Sequence, residues 1–321
     1  MSEIEGRSSC RSRASILESA ASFWEKDRLE AFRTVYGAMR VVDDIVGDRK
    51  KRGFPIKEQE RAVIESKIKR ILQGASPDAP SSSLPLIFVR KCFGLPDRAF
   101  DLWMRSMVYD LRHDGFDCWQ TFTDYAEGAS VAPGAIFLHL CALRCDESAY
   151  IPPDFDVFAK ARDLALFCYV VHILRDFRAD VEENLFYIDD ETSRRHGLDR
   201  NALRRIAASG EIDGPFRTLV ADCVARGERF RARARGSLDS LSDHLEPRYR
   251  FSLEVVYDSY LQMFERLDPS RPYLDRLTIS VDEAAERLAG LHKKWMGREI
   301  ENRQIMAALY RPDDTTSVIA S

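Results

Sequence analysis

Residues 40–50 read RVVDDIVGDRK, and this stretch sets Asp43 and Asp44 directly among Val41, Val42, Ile45 and Val46. A surface helix keeps its carboxylates on the wet side and its aliphatics on the other. Here the aliphatics surround the acids, which predicts a helix held against a core, with carboxylates lining a cavity. The helical period holds nearly everywhere else. Helical patterns span 15–46, 58–73, 96–111, 119–145, 154–182, 199–208, 215–243, 248–267 and 281–309, while strand alternation is almost absent. Breaks fall at GASPDAPSSSLP (74–85), IPPD (151–154) and DPSRPY (268–273), as their Pro, Gly and Ser content demands. None is long or biased enough to act as an interdomain linker, and no internal repeat appears. The expectation is one all-α domain over 15–311, its helices packed around a central cavity. A polar, disordered segment 1–14 is expected to precede it and a tail, 312–321, to follow.

With 321 residues, 45% of them hydrophobic, the chain can bury one large core or two of modest size. A net charge of −4 gives no global pull toward nucleic acid, and the local cluster RKKR at 49–52 reads as a solvated loop. The seven cysteines are scattered, with no CxxC pair, a usage that fits a reducing cytoplasm. No run of 18 apolar residues occurs, so no membrane span is expected.

The second acidic stretch is YVVHILRDFRADVEENLFYI, residues 169–188. Asp176 and Asp180 stand four apart, so on a helix they share one face and can grip the same ion. His172, four residues earlier, extends that stripe. Two facing sets of carboxylates repel unless something positive lies between them, and oxygen-only ligands favour a hard cation such as Mg²⁺. Magnesium is commonly shared with substrate phosphates, and Arg40 and Arg175 add donors for diphosphate oxygens. The combination predicts metal-assisted ionisation of a diphosphate beside an apolar, aromatic cavity that shelters a carbocation. Taken singly, each feature has a plainer reading: acids four apart on exposed faces, His172 a satisfied helix histidine, Phe23, Tyr36 and Trp119 core packing, Arg40 and Arg175 paired with neighbouring acids. Two such stretches with matching arginines favour the site.

SFW (22–24), VYGAMRVVDDIVGD (35–48), YDLRHDGFDCWQTFTDYAEGASVAPG (109–134) and HILRDFRADVEENLFYI (172–188) resemble, in that order, the markers of the squalene and phytoene synthase family. The likeness runs over about 15–290. It implies an all-α isoprenoid synthase fold and head-to-head condensation of two C15 or C20 prenyl diphosphates, through a cyclopropylcarbinyl diphosphate, with Mg²⁺. The resemblance places Tyr36, Arg40 and Asp43 on the first motif and Arg175, Asp176 and Asp180 on the second, with Tyr187 after it. It implies catalytic roles for Tyr36, Asp44, Asp176 and Asp180, and metal contacts for Asp43, Asp44, Asp48, Asp176 and Asp180. Substrate contacts fall to Phe23, Arg40, Tyr169, His172, Arg175, Tyr187, Tyr257 and Tyr260. Asp110 resembles the acid opening the middle motif, and EGASVAPGA resembles a helix that lets another backbone or a prenyl chain come close. The implied partners are prenyl diphosphates, with peripheral membrane association for release of a lipid product. No glycine-rich nucleotide fingerprint appears; the family does not need one, so NADPH stays open, with none expected.

The departures are specific. Counted from Arg40, the last acid of the family's DxxxD falls on Gly47, and Asp48 comes one residue late. Asp44 and Asp48 keep the four-residue spacing, so either the register has moved by one, turning the grip by about 100°, or one acid is lost. Tyr169 and His172 replace a usual glutamine and asparagine, Leu185 an arginine, Asp189 a proline, and Cys118–Trp119 an expected Arg-Tyr pair. These changes keep two alternatives open: a divergent terpene synthase that ionises a single diphosphate, and a non-catalytic assembly or binding protein. Retention of five acids favours the enzyme.

Overall fold

The structure, a computed structural model, describes residues 15–74, 84–146, 149–269, 277 and 279–309. The expected N-terminal segment 1–14 and tail 312–321 lie outside the described residues, as does most of the 74–85 break. The first helices are α1 (Ile16–Ala21), α2 (Lys26–Lys51), α3 (Glu58–Leu72), α4 (Leu86–Cys92) and α5 (Asp97–Asp110). There follow α6 (Trp119–Ala126), a π-helical turn (Glu127–Val131), α7 (Ala132–Ala142) and a short antiparallel hairpin, β1 (Arg144–Asp146) with β2 (Ala149–Ile151). The second half holds α8 (Val157–Arg175), α9 (Phe177–Glu182), α10 (Asp190–Arg195), α11 (Arg200–Ser209), α12 (Gly214–Ser240), α13 (Pro247–Glu265), α14 (Val281–Met296) and α15 (Asn302–Leu309). The all-α expectation therefore holds.

The boundaries differ where local chemistry overrides the apolar period. The expected helix 15–46 is two helices, because Ser15 and Glu18 close a capping box for α1 and the chain breaks before α2 starts at Lys26. α2 then runs on to Lys51, so RKKR is no solvated loop: Arg49 to Lys51 form its last turn and Lys50 is buried. The expected helix 154–182 breaks at Asp176, which ends α8 and starts α9. The expected helix 281–309 stops at Gly297, whose φ of 66° belongs to a left-handed C-cap. The short helices α4 and α10 were not expected at all.

α8 is the central helix, packed against α12 along one flank and α7 along another. Leu166, Phe167, Val171 and Leu174 on it are each 1% exposed or less, and burying such side chains is worth roughly 1.5–3 kcal/mol apiece. That anchorage fixes the helix end that carries His172 and Arg175. The small-residue run does let backbones approach. A Cβ at Gly128 would collide with the Leu102 carbonyl oxygen and Ser106 Oγ of α5, and one at Gly134 would come within 3.3 Å of Ala165 Cβ on α8. Across the same contact Ser106 Oγ donates to the Tyr125 carbonyl at 2.7 Å. α5, the π turn, α7, α8, α2 and α13 are thereby drawn into the walls of one cavity.

Candidate active site

The cavity has a volume of about 380 Å³, and Tyr36, Arg40, Asp43, Tyr169, His172, Asp180, Tyr187 and Tyr260 all line it. A second compartment of about 460 Å³ shares Tyr36, Arg40, His172 and Tyr260 with it and adds Arg175 and Asp176. These four shared residues form a waist between an inner chamber, which holds Asp43 and Asp180, and an outer one, which holds Asp176.

On α2 the cavity-lining positions are 36, 39, 40, 43, 46, 47 and 50, the three- and four-residue steps of one helix face. Asp44 and Asp48 are exposed and neither lines the cavity. The two acids expected at a metal, Asp44 also as a catalytic group, thus stand away from the cavity that Asp43 lines. Each lies one residue beyond a cavity position, about 100° round the helix. Gly47 occupies the cavity-lining position of the unshifted register, and it carries no acid. Asp43 is exposed as well, and what sets it apart is that it lines the cavity. Its carboxyl is pushed up to about 7, chiefly by burial, then by Asp110 and Asp44, while Arg40 and Lys50 oppose the rise. Asp180 is likewise pushed up to about 7 by burial and by Asp176 and Glu183, opposed by Lys50 and Arg175.

Asp176 has a different environment. Arg175 donates from Nε to Oδ1 at 2.7 Å and from Nη2 to Oδ2 at 2.6 Å, a bidentate fork. Nη2 also lies 3.1 Å from His172 Nδ1, and His172 Nε2 lies 3.1 Å from Asp176 Oδ2. A guanidinium only donates, so His172 Nδ1 accepts and the ring proton sits on Nε2, facing Asp176. Burial, followed by the charge of Arg175, pushes His172 down to about 4, which keeps the imidazole neutral. Burial alone would raise Asp176, but the Arg175 hydrogen bond, the charge that His172 takes on only in the acid range where Asp176 titrates, and the charge of Arg175 outweigh it and hold the acid below its ordinary value.

Sequence reasoning missed Lys50. Its amine pairs with Asp110, whose other carboxylate oxygen accepts from Tyr125 Oη at 2.7 Å. The same amine lies 5.4 Å from the centre of the Tyr187 ring, and the residue is 6% exposed. The signal was its phase: position 50 continues the stripe of 36, 43 and 47. Around it Tyr169 stacks on Phe122 at 5.5 Å and meets Tyr187 edge-on at 6.4 Å. Burial first, and Asp110 second, push the Tyr125, Tyr169 and Tyr187 hydroxyls well above their ordinary value, so they remain donors. Asn184, with φ of 60°, turns the chain after α9, and Leu185 and Tyr187 then face the cavity. Leu185 brings an apolar surface where the resemblance expects an arginine.

Two expected substrate contacts lie elsewhere. Phe23 packs on Phe251 at 4.9 Å and His292 at 6.1 Å, in a separate groove with Arg248 and Met296. It sits in the break between α1 and α2, where helix phase does not set its direction. Tyr257 accepts from Arg231 Nη1 at 3.2 Å and its ring faces Phe167. The cavity positions on α13 are 253, 256 and 260, and one residue past 256 turns the side chain away.

Among the described residues no three His, Cys, Asp or Glu side chains are gathered to hold a metal. Asp43 and Asp180 nevertheless fit a divalent cation. They are hard oxygen donors from two helices, and burial makes their ionised forms costly until positive charge arrives. Mg²⁺ suits such a pair, because it keeps waters and binds through one or two carboxylates together with substrate phosphates. Also among the described residues, no helix is long and apolar enough to cross a membrane.

The family model for squalene/phytoene synthase matches residues 18–281. A phytoene synthase from Cereibacter sphaeroides is 22% identical over 212 residues, covering 64% of this chain and 56% of that relative, so the match spans little more than half of the relative's length. A squalene synthase from Alicyclobacillus acidocaldarius superposes with a TM-score of 0.59 at 18% identity, over 77% of this chain and 86% of that one. A dehydrosqualene synthase solved with a ligand gives 0.65 at 16% identity, over 87% and 91%. At such identities the two structures speak for the fold.

Proposed function

The chain belongs to the squalene/phytoene synthase family, and from that premise we propose that it is a prenyltransferase that joins two C15 or C20 prenyl diphosphates head to head. The observation that carries this reading is that Asp43 and Asp180, from different helices, both line one largely apolar cavity. Two chambers meeting at Tyr36, Arg40, His172 and Tyr260 favour two prenyl chains over one. Both volumes lie in the usual range for small-molecule pockets, about 300–1,000 Å³.

In this mechanism Asp43 and Asp180 hold Mg²⁺, which when bound supplies Lewis-acid stabilisation of the diphosphate oxygens. Arg40 and Lys50 bind the departing diphosphate. The allylic carbon–oxygen bond of the first substrate breaks, and its electron pair leaves with the diphosphate. The apolar wall of Met39, Trp103, Met107, Phe137 and Leu185 excludes water from the resulting cation. The faces of Tyr36, Tyr169 and Tyr187 stabilise it electrostatically. The double bond of the second substrate attacks the cation, and loss of one proton closes a cyclopropane ring. Neutral His172, fixed by Arg175 and Asp176, shapes the waist where that second chain must lie.

A second reading, a non-catalytic binder, draws on the missing acid at Gly47 and on Asp176 being fully engaged by Arg175. The deciding experiment incubates the protein with Mg²⁺ and the C10, C15 and C20 diphosphates, separately and in pairs, measuring pyrophosphate release and analysing products by mass spectrometry. Release with C30 or C40 coupled products is the expected result. Release with only monomeric alcohols or cyclic terpenes discards the coupling, and no release from any substrate favours the binder.

A further inference from the structure

Lys50 lies on the cavity face of α2, one turn beyond Gly47, and both residues line the inner chamber. A Cβ at Gly47 would meet nothing within 4 Å, so that position offers space but no charge. The amine of Lys50 is set against Asp110 and above the Tyr187 ring, and its charge acts on both Asp43 and Asp180. An ammonium has three N–H donors. Asp110 takes one and is itself fixed on its far oxygen by Tyr125, which leaves donors for a ligand in the chamber that Lys50 lines.

We propose that Lys50 is a diphosphate-binding residue and the resident cation among the cavity's acids, pairing with Asp110 and partly offsetting the charge of Asp43 and Asp180 in the free protein, so that a divalent cation enters together with a diphosphate rather than before it. The reasoning is competition between like charges. An ammonium and a divalent cation held beside neighbouring carboxylates repel each other in a site of low dielectric. A diphosphate reverses the balance, because its oxygens take hydrogen bonds from the lysine as a point charge and share the metal at the same time. The proposal rests on the diphosphate site described above, and the test separates failure of one from failure of the other.

Mn²⁺, followed by electron paramagnetic resonance, replaces Mg²⁺ as the probe, and inorganic pyrophosphate replaces the substrate head group. In the wild-type protein Mn²⁺ should bind weakly alone and about 10-fold or more tighter with pyrophosphate. In Lys50→Met, which keeps length and removes charge, Mn²⁺ alone should bind about 10-fold tighter than in the wild type, while pyrophosphate affinity at saturating Mn²⁺ should fall about 10-fold. Lys50→Arg should retain the wild-type order. If Lys50→Met misfolds because Asp110 loses its partner, the double variant Lys50→Met/Asp110→Asn keeps a neutral partner for Tyr125 and should show the same loss of pyrophosphate affinity. Unchanged Mn²⁺ affinity in folded Lys50→Met, or unchanged pyrophosphate affinity in the double variant, overturns the proposal while leaving the diphosphate site standing. No pyrophosphate binding by the wild-type protein, with Mn²⁺ present, overturns both.

Discussion

α2 and the α8–α9 pair present the same acidic spacing, yet they deliver their carboxylates to the site in different ways. On α2 the helix is continuous, and phase alone decides the outcome: Asp43 and Gly47 turn inward while Asp44 and Asp48 stay outside. On the second element the helix breaks at Asp176, which lies in the outer chamber beneath its own arginine, while Asp180 reaches the inner one. The comparison teaches that four-residue spacing marks candidates, and that burial, partners and helix continuity select among them. Each helix then gives the inner chamber a single acid whose ionisation is costly.

The sharpest way to break that comparison is to neutralise the two selected acids. Asp43→Asn and Asp180→Asn should each reduce pyrophosphate release by about 10²–10³-fold, with melting temperature unchanged or raised, since each removes an acid whose ionised form its surroundings disfavour. Equal turnover in both variants and the wild type would dismiss the pair as the reactive centre. By contrast, Asp44→Ala and Asp48→Ala should change turnover by no more than about 2-fold, as surface substitutions do. Severe loss in Asp48→Ala would mean that the first helix works in the shifted register after all.

A structural substitution has the next largest effect. Gly128→Ala pushes a methyl group into the α5 backbone and should destabilise the fold by about 1–3 kcal/mol, read as a lower melting temperature. A variant as stable as the wild type would show that the α5 contact yields easily.

A subtler expectation concerns pH. Asp43 and Asp180 are each raised from 3.8 to about 7. Between those values the native protein binds more protons than the unfolded chain, so stability from these groups is present at low pH and lost as pH rises through about 7. The metal-free protein should therefore melt progressively lower across this window. Asp43→Asn/Asp180→Asn should flatten the slope, and so should Mg²⁺ with pyrophosphate. A slope identical in the double variant would assign the effect to other groups.

Much of the fold was legible because apolar residues at helical period leave few alternatives over 321 residues, and because both acidic motifs carry matching arginines. Tyr36, Arg40, Asp43, Tyr169, His172, Asp180, Tyr187 and Tyr260, to which the resemblance assigned a shared site, all line one cavity. What escaped the sequence depends on partners far along the chain. Lys50 looked solvated because its partner, Asp110, is 60 residues away. The resemblance placed Tyr257 and Phe23 at the site, and their residue type could not correct it, because an aromatic side chain is equally at home in a core. The break at Asp176 could not be foreseen from an uninterrupted apolar pattern.

The closure of Gly128 on α5 also bears on how this protein can diversify. Where the two backbones touch, no space remains to be opened or closed by moving helices, and neighbouring Trp103 and Met107 reach the cavity from the same wall. For the prenyl chains proposed above, longer or shorter products would then call for trimming or enlarging those side chains rather than shifting the frame. Inheritance of product length would then be written in a handful of interchangeable plugs, set in a mould that a single glycine keeps from being recast.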